Sequence, residues 1–322
     1  MLIDHSPISK VQIQTLSIPD PGPLSSPLYD VLRNYLLACQ VEGKSPHTLE
    51  GYGRRLKQFL AFVKEYELTD PASITSTRIR LFLLSLQARN LNPTTVNVLY
   101  RVLRTWFNWL VAEGMIEKTP LANIKPPRIA KTKPRPFSIE DIQKLLLLAS
   151  GNRFVDVRNQ AMVLLFLDTG LRLSEMANIH LADMDFDHEI IRVMGKGSKE
   201  RVVRMGKRMQ RALLKYILRR DDSYDCLWLN NWRQPLSRDG VQSAMKKLCR
   251  RAEIRDARLG AHTFRHTAAI TFLRNGGGEF MLQYMLGHAT LSMTRRYVSE
   301  LGQDDMIRAH QKASPVDNLS LK

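Results

Sequence analysis

The sequence predicts a mainly helical protein of two domains with one small β-sheet. Apolar residues recur at helical spacing along most of the chain between about residues 28 and 300. One stretch, residues 189–205, departs from this pattern, because two short β-branched runs flank a glycine-bearing turn there. A chain of 322 residues is about twice the length of a common domain, so two hydrophobic cores are expected.

The first predicted domain is a compact helical bundle over residues 28–114. Four segments within it carry apolar residues three and four positions apart, as one buried helix face requires. The second and fourth segments each start with a capping residue followed by proline, Ser45-Pro46 and Asn92-Pro93. A cap that accepts a backbone N–H and a proline at the first helical position both favour a helix start.

Segments poor in regular structure flank this bundle. Residues 1–27 end in a run of proline, glycine and serine and predict a flexible N-terminal arm. Residues 115–137 form a proline-rich linker that holds no acidic residue after position 117. An extended basic linker of this kind either stays solvated or lies along a phosphate backbone, and both interpretations are open. Its basic residues are Lys118, Lys125, Arg128, Lys131, Lys133 and Arg135.

The second predicted domain spans residues 138–300 and is mostly helical. Ser138 with Asp141 three residues later forms a capping box at its first helix. The β-branched runs at 190–193 and 202–203 predict a hairpin that presents Lys196 near its tip. Residues 301–322 are expected to form a C-terminal tail with a weak apolar pattern.

The charge balance indicates a polyanionic partner. Lys and Arg number 48 against 31 Asp and Glu, which gives a net charge of +17. Nucleic acid is the favoured partner and an anionic membrane surface the second choice. A hydrophobic content of 44% argues against a disordered basic protein, so the basic residues are expected on the surface of folded domains.

The chain carries no sign of a metal site, a secretion signal or a membrane span. The three cysteines match neither a zinc spacing nor a disulfide framework, so neither a metal nor another cofactor is predicted. The N-terminus lacks a basic start followed by an apolar run, and no run approaches about 18 apolar residues. We therefore expect a cytoplasmic protein.

Three segments of the second domain carry residues suited to phosphate chemistry. Arg172 follows a glycine break after an apolar helix, where a partner such as Glu175 or a bound phosphate would compensate its charge. His262 and Arg265 are three residues apart and share a helical face. Tyr297 follows two arginines, and cationic neighbours favour the nucleophilic phenolate. Each segment alone also fits a purely structural role.

Taken in chain order, these segments resemble the tyrosine recombinases, also called the phage integrase family. The basic hinge and the SPHTLEGYGRRLKQFLAF segment, which is similar to the start of the family's core-binding domain, extend the resemblance over about residues 28–300. Six positions in register are far more specific than any single motif. They lie in TGLRLSE with Arg172, GKGSKER with Lys196, HTFRH with His262 and Arg265, LGH with His288, and at Tyr297 nine residues later.

The resemblance implies a function: a site-specific recombinase that integrates, excises or resolves DNA. Tyr297 would attack the scissile phosphate to form a 3′-phosphotyrosyl bond and release a 5′-hydroxyl, with no ATP and no metal ion. Arg172 and Arg265 would hold the non-bridging oxygens, where charge grows in the transition state.

The remaining three catalytic positions would move or hold protons. Lys196 would act as general acid toward the leaving 5′-oxygen, from a hairpin that closes over the scissile bond. His262 would accept the proton of the tyrosine or hold it in place. His288 would donate a hydrogen bond to the phosphate.

The resemblance further implies a helical, SAM-like core-binding domain and a mixed, mostly helical catalytic domain that clamp double-stranded DNA at a specific target site. Four protomers would exchange strands through a Holliday junction, with residues 301–322 packed on a neighbouring protomer or left as a disordered tail. Accessory DNA-bending proteins and association with the nucleoid fit this picture. Candidate DNA contacts, for which a solvated position is the alternative, are Arg101, Arg104, Lys125 and Arg128.

Two other functions are compatible with the same residues. A type IB topoisomerase shares this chemistry but relaxes a single duplex, and a DNA-binding regulator would keep the fold without catalysis. The short chain and the helical bundle favour a recombinase over the topoisomerase, and an intact set of catalytic residues argues against the regulator. The long N-terminal arm favours an enzyme of a mobile element.

Overall fold

The chain divides into two units, residues 1–131 and 132–322. The computed structural model describes residues 27–129, 135–195, 200–255, 257–314 and 316–317. The predicted arm, apart from its last residue, and the middle of the predicted linker lie outside these residues. Within them the chain is mainly helical with one small antiparallel sheet, which confirms the predicted fold class.

The first unit is built from four α-helices in its described part. Ser45 and Asn92 cap the second and fourth of them, accepting from the backbone N–H of Thr48 and Thr94, and each is followed by proline. The predicted starts of both helices are therefore confirmed. The helices are α1 (Pro27–Val41), α2 (Pro46–Lys64), α3 (Ser76–Ala88) and α4 (Pro93–Ala112), with a 3₁₀ turn at Pro71–Ser73.

Aromatic side chains from three helices form the centre of this unit. Phe59 of α2 packs edge-on against Phe82 of α3 at 5.1 Å between ring centroids. It also meets Trp106 and Phe107 of α4 at 6.2 and 6.1 Å. All four rings are buried, so the bundle has a core of its own.

The first part of the predicted linker is anchored to α4. The hydroxyl of Tyr100 donates to the carbonyl of Ile124 at 2.6 Å, and the side-chain amide of Asn97 donates to the carbonyl of Pro127 at 3.0 Å. These bonds satisfy backbone carbonyls that proline-rich chain leaves unpaired. Residues up to Pro127 therefore belong structurally to the helical unit.

The second unit contains nine α-helices in its described part. Ser138 and Asp141 form the predicted capping box at the first of these helices. None of the helices described in either unit is long and apolar enough to span a membrane. The helices are α5 (Ile139–Leu148), α6 (Phe154–Thr169), α7 (Leu173–Ala177), α8 (Lys207–Ile217), α9 (Arg238–Arg251), α10 (Ala261–Arg274), α11 (Glu279–Leu286), α12 (Ser292–Val298) and α13 (Gln303–Ala313), with a 3₁₀ turn at Leu181–Asp183.

The sheet of this unit has three antiparallel strands in the order β1-β2-β3, which are Met184–Asp185, Ile190–Met194 and Glu200–Arg204. Strands β2 and β3 pair from Ile190 with Arg204 to Met194 with Glu200, as the predicted hairpin requires. Strand β1 was not predicted, because two residues are too few to show a strand period.

Part of the predicted C-terminal tail is helical, since Gln303–Ala313 form α13. Asp305 accepts from the N–H of Gly302 and so satisfies one of the free donors at the start of α13. Its carboxylate also lies 3.1 Å from Arg274 at the end of α10. The apolar side chains Met306 and Ile307 stay exposed, at 63% and 51%.

Candidate active site

The C-terminal carbonyls of α11 gather three arginine side chains from distant parts of the chain. Gly287 accepts from Arg172 at 2.8 Å, and Leu286 accepts from Arg265 at 2.8 Å. The carbonyl of Met285 accepts from Arg201 at 3.2 Å. The end of a helix carries partial negative charge, so it stabilises guanidinium groups placed there.

A buried carboxylate joins two of these arginines. Both oxygens of Glu175 accept from Arg201, at 2.9 and 2.8 Å, and Oε1 also accepts from Arg172 at 2.7 Å. Burial alone would raise the pKa of Glu175, but the hydrogen bonds from Arg201 and from Arg172 outweigh it and lower the pKa to about 2. The arginine-carboxylate pairing considered for Arg172 is therefore present.

Two glycines with left-handed backbone shape the turns that bring these groups together. Gly170 ends α6 at a φ of 61° and its carbonyl accepts from Arg265 at 2.7 Å. Gly287 ends α11 at the same φ, and a Cβ there would lie 3.0 Å from the guanidinium of Arg201. Glycine adopts this conformation without strain and leaves room for the arginine.

The guanidinium groups border a cavity of about 450 Å³ that four of the predicted catalytic residues line. They are Arg172, His262, Arg265 and His288. Among the described residues that line the cavity, four arginines stand against one acid, Asp239, and Glu175 lies behind Arg172, so the surroundings carry a net positive charge. The four are Arg172, Arg238, Arg265 and Arg296. Burial and the nearby Arg172 lower the pKa of Arg265 to about 10, which still leaves it cationic at neutral pH. The cavity therefore favours a phosphate group.

Both predicted histidines are held in the neutral form. Burial, together with Arg265 and Arg296, lowers the pKa of His288 to about 4. Loss of surrounding water, Arg296 and Arg265 also hold the pKa of His262 below its usual value. The Nδ1 atom of His288 lies 2.8 Å from the hydroxyl of Thr294, which fixes the orientation of its ring. At neutral pH these imidazoles can donate or accept a hydrogen bond but add no charge.

Tyr297 lies beside this cavity but does not line it. Its ring stacks on His288 at 6.0 Å between centroids and is only 1% exposed. Its hydroxyl accepts from Arg296 at 2.6 Å, and Arg296 does line the cavity. His266 packs against the same ring at 5.5 Å between centroids and lies 3.0 Å from the carboxylate of Glu300.

The other predicted site residues are not among those that line this cavity. Lys196 lies outside the described residues, but the neighbouring Gly195 and Glu200 line a second cavity of about 840 Å³ that shares Arg172 and His288. In the first unit the candidate DNA contacts are exposed, and two of them, Arg104 and Lys125, line one cavity of about 480 Å³. The other two are Arg101 and Arg128.

Sequence reasoning missed Arg201 as a member of the site, and it treated Arg296 only as a cationic neighbour of Tyr297, not as a residue that lines the cavity. Arg201 occupies the same inward side of β3 as the buried Val203, and an arginine at a buried strand position was a readable signal. Arg296 offered no such signal, because its position two residues after the buried Thr294 and next to Tyr297 is ordinary in a helix.

Family models match both units of the chain. Residues 138–303 match the model described as "Phage integrase family", and residues 32–114 match "Phage integrase, N-terminal SAM-like domain". The first range covers just over half of the chain and contains all six predicted catalytic positions.

Individual relatives agree with these matches. Tyrosine recombinase XerD of Halalkalibacterium halodurans is 31% identical over 274 residues, 83% of this chain and 91% of its own length. Tyrosine recombinase XerC of Thermodesulfovibrio yellowstonii is 31% identical over 295 residues, 88% and 96% of the two chains. The XerH site-specific recombinase bound to palindromic difH substrate, a post-cleavage complex, shares the fold with a TM-score of 0.66 at 22% identity, over 84% and 80%. This chain therefore belongs to the phage integrase family and is a tyrosine recombinase, an enzyme of site-specific DNA recombination.

Proposed function

We propose that this enzyme binds double-stranded DNA at a specific target site and transfers a strand through a covalent bond to Tyr297. The phenolate oxygen attacks the scissile phosphorus, a 3′-phosphotyrosyl bond forms, and the bond to the 5′-oxygen breaks. One observation carries the proposal: the cavity lined by Arg172, Arg265 and two neutral histidines, with Tyr297 stacked on one of them. The bond energy is kept in the phosphotyrosyl link, so rejoining needs no ATP.

The arginines supply the charge stabilisation of the transition state. Negative charge grows on the non-bridging oxygens as the phosphorus becomes five-coordinate, and fixed cations stabilise it without reorganising. Arg172 and Arg265 are fixed by helix-end carbonyls and, for Arg172, by Glu175. With both guanidinium groups held in this way, we propose that cleavage also proceeds without a metal ion.

The histidines have separate duties in this mechanism. A general base must be unprotonated before it takes a proton, and the lowered pKa keeps His262 in that form. It then accepts the proton of the attacking Tyr297. His288 titrates near pH 4 and so donates a hydrogen bond to the phosphate rather than a proton.

The nucleophile must move before it reacts. Tyr297 is buried, its hydroxyl is bound to Arg296, and it lies outside the residues that line the cavity. Both residues lie on the seven-residue helix α12, so attack requires a rearrangement within this helix that breaks the bond from Arg296 and turns the hydroxyl toward the phosphate. We propose that DNA binding provides the energy for this shift.

The assembly follows the family expectation. We propose that the helical unit acts as the core-binding domain, that four protomers exchange strands through a Holliday junction, and that the exposed apolar face of α13 packs on a neighbouring protomer. Accessory DNA-bending proteins would assist, and the enzyme would act in the cytoplasm on nucleoid DNA, in the service of a mobile element. DNA contacts in the helical unit and linker would come from Arg101, Arg104, Lys125 and Arg128.

A Tyr297→Phe variant tests the central claim. Phenylalanine keeps the ring that stacks on His288 but removes the nucleophile, so covalent protein–DNA adducts on a nicked substrate should vanish while DNA binding stays within about twofold. Running the wild-type reaction in EDTA tests metal independence in the same assay. An adduct that persists in the variant would assign the nucleophile to another residue, and loss of adduct in EDTA would reject the metal-free mechanism.

A Lys196→Ala variant tests the general acid. If Lys196 protonates the leaving 5′-oxygen, cleavage should slow by about two to four orders of magnitude, since that is the usual contribution of a general acid. A substrate with sulfur at the 5′-bridging position needs no proton and should restore most of the rate. If the sulfur substrate does not restore the rate, another group donates the proton.

A two-site recombination assay with the wild-type enzyme separates recombination from topoisomerase-like relaxation.

A further inference from the structure

A second cationic cavity, of about 420 Å³, lies at the opposite end of α6 from the candidate active site. Helix α6 has 16 residues and so is about 24 Å long, which separates the two cavities clearly. No carboxylate is among the described residues that line this cavity. Its cationic and aromatic lining comes from Arg153, Arg158, Trp232, Lys247 and Arg251.

Arg158 is a buried cation without a counter-ion. It is 3% exposed and donates only to neutral acceptors, Asn159 Oδ1 at 2.9 and 3.2 Å and the carbonyl of Leu229 at 2.7 Å. None of the ion pairs in the described part of the chain includes it. Burial lowers the pKa of Arg158, in line with an uncompensated charge. An anion in the cavity would relieve that energetic cost.

Further positive potential converges on the same space. The start of α6 faces it through Arg153 and Val155, and the helix has no side-chain cap there. Helix N-termini carry free N–H donors and partial positive charge. Lys247 and Arg251 stand four residues apart on α9, both exposed and both outside the ion pairs seen among the described residues. Asp156, whose charge Arg251 also feels, is already bound by Arg153 at 2.8 and 2.9 Å.

An ordered loop presents an indole ring at this cavity. Trp232 is 79% exposed, which is unusual for so large an apolar side chain. Its backbone is fixed, because Asn230 Oδ1 accepts from the N–H of Trp232 at 2.8 Å and from that of Gln234 at 3.1 Å. The guanidinium of Arg233 also lies 3.7 Å from the ring centroid of Phe154, which ties the loop to α6.

We propose that this cavity binds a nucleotide phosphate monoester, with the phosphate against Arg158, Lys247 and Arg251 and the base stacked on Trp232. Aromatic rings stack on unpaired bases without regard to sequence. A duplex backbone is too broad to reach the nearly buried Arg158, whereas a terminal phosphate on a single nucleotide can enter a cavity of this volume. A monoester also carries up to two charges, against one for a diester. The ligand is either a free mononucleotide or the 5′-phosphate end of a single strand.

Tryptophan fluorescence of the full chain tests the proposal. The other three tryptophans are buried or partly buried, so Trp232 dominates quenching by a stacked base. We expect dAMP to quench saturably and deoxyadenosine, which lacks the phosphate, to bind at least about tenfold more weakly. A Trp232→Phe variant should lose the signal. Absence of saturable quenching up to about 10 mM dAMP, or equal binding of dAMP and deoxyadenosine, would overturn the proposal.

Matched variants on α9 locate the site. Arg251→Ala combined with Lys247→Ala should weaken dAMP binding by about tenfold or more, measured by calorimetry as well as by fluorescence. Arg250→Ala removes a neighbouring exposed charge that does not line the cavity and should change the affinity by less than about twofold. An equal loss in both would indicate general charge attraction and reject the site. Tighter binding of a 5′-phosphorylated tetradeoxyadenylate than of dAMP identifies a strand end as the ligand; the reverse order identifies a free nucleotide.

Discussion

Replacing Glu175 by glutamine should destabilise the catalytic unit strongly. The carboxylate is the one acid among the contacts of Arg172 and Arg201, and its side chain is only 3% exposed. Glutamine has nearly the same shape but no charge, and its amide nitrogen faces guanidinium groups that also donate. The variant therefore leaves Arg201 buried without a compensating charge and loosens Arg172.

Two estimates of the free energy of unfolding that the Glu175→Gln variant loses agree. Removing one partner of a buried ion pair typically costs about 3–5 kcal/mol. Independently, folding lowers the pKa of Glu175 from 4.5 to about 2, which corresponds to about 3 kcal/mol of stability at neutral pH. Because the folded-state pKa is the lower one, this contribution is complete well above pH 4.5 and is lost as the pH falls through 4.5 toward 2. For a unit of this size, about 3 kcal/mol lowers the Tm by roughly 6–12 °C.

Calorimetry of the full chain measures this cost with an internal control. The helical unit has its own core and should keep its transition unchanged, while the transition of the catalytic unit moves. Glu189→Gln is the matched variant, since Glu189 bonds Arg204 at the same 2.8 Å but with the arginine 82% exposed. Exposed pairs contribute about 0–1 kcal/mol, so its shift should be small.

The pH dependence distinguishes a lost charge from a packing defect. The difference in stability between wild type and Glu175→Gln should shrink as the pH falls from 4.5 toward 2, because Glu175 is protonated first in the unfolded wild type and, near pH 2, in the folded protein as well. A packing defect would cost the same at every pH. A cost below about 1 kcal/mol at pH 7, or a difference that does not change with pH, would refute the assigned role of Glu175.

Two further predictions concern the surroundings of Tyr297. Because folding lowers the pKa of His288 from 6.5 to about 4, the stability of the wild type should decline as the pH falls from 6.5 to 4, by up to about 3 kcal/mol from this residue. In urea titrations His288→Gln should show a shallower decline, and parallel curves would contradict the burial argument. A double-mutant cycle of Arg296→Ala and Tyr297→Phe should give a coupling energy of about 1.5–3 kcal/mol, as expected for a hydrogen bond to a charged group. Coupling below about 0.5 kcal/mol would mean that the 2.6 Å bond does not hold the tyrosine in solution.

The fold was predictable where the local signals were strong. Caps such as Ser45 and Asn92 and the capping box at Ser138 fixed helix starts, since they act through neighbouring backbone groups. Strand β1 and helix α13 were not resolved from sequence. A two-residue strand has no period, and α13 is held by the long-range pair of Asp305 with Arg274 rather than by an apolar face.

The residues of the candidate site could be predicted from the sequence, but the contacts that hold them in place could not. Arg172, Arg265 and His288 were found because they resemble family motifs, and the structure gathers them around one cavity. Their shared contact with the end of α11 was hidden, because backbone carbonyls carry no signature in the sequence. The bond from Arg296 to the hydroxyl of Tyr297 was hidden for a similar reason, as adjacent residues on a helix usually point apart.

The site combines arginines that are firmly anchored with a nucleophile, Tyr297, that lies on a short and weakly held helix. The arginines are anchored by Glu175, by the carbonyl of Gly170 and by the end of α11, so moving any one of them would leave a buried charge or carbonyl unpaired. Helix α12 has only seven residues, lacks a side-chain cap and buries only Thr294 and Tyr297. Moving it gives up the stacking of Tyr297 on His288 and the hydrogen bond between Thr294 and His288, and it carries Arg296 along, because Arg296 belongs to the same helix. Contacts between a bound phosphate and the arginines of the pocket can offset this loss. We propose that DNA binding moves this short helix and exposes the tyrosine, while the anchored arginines keep the geometry of the pocket that receives the phosphate.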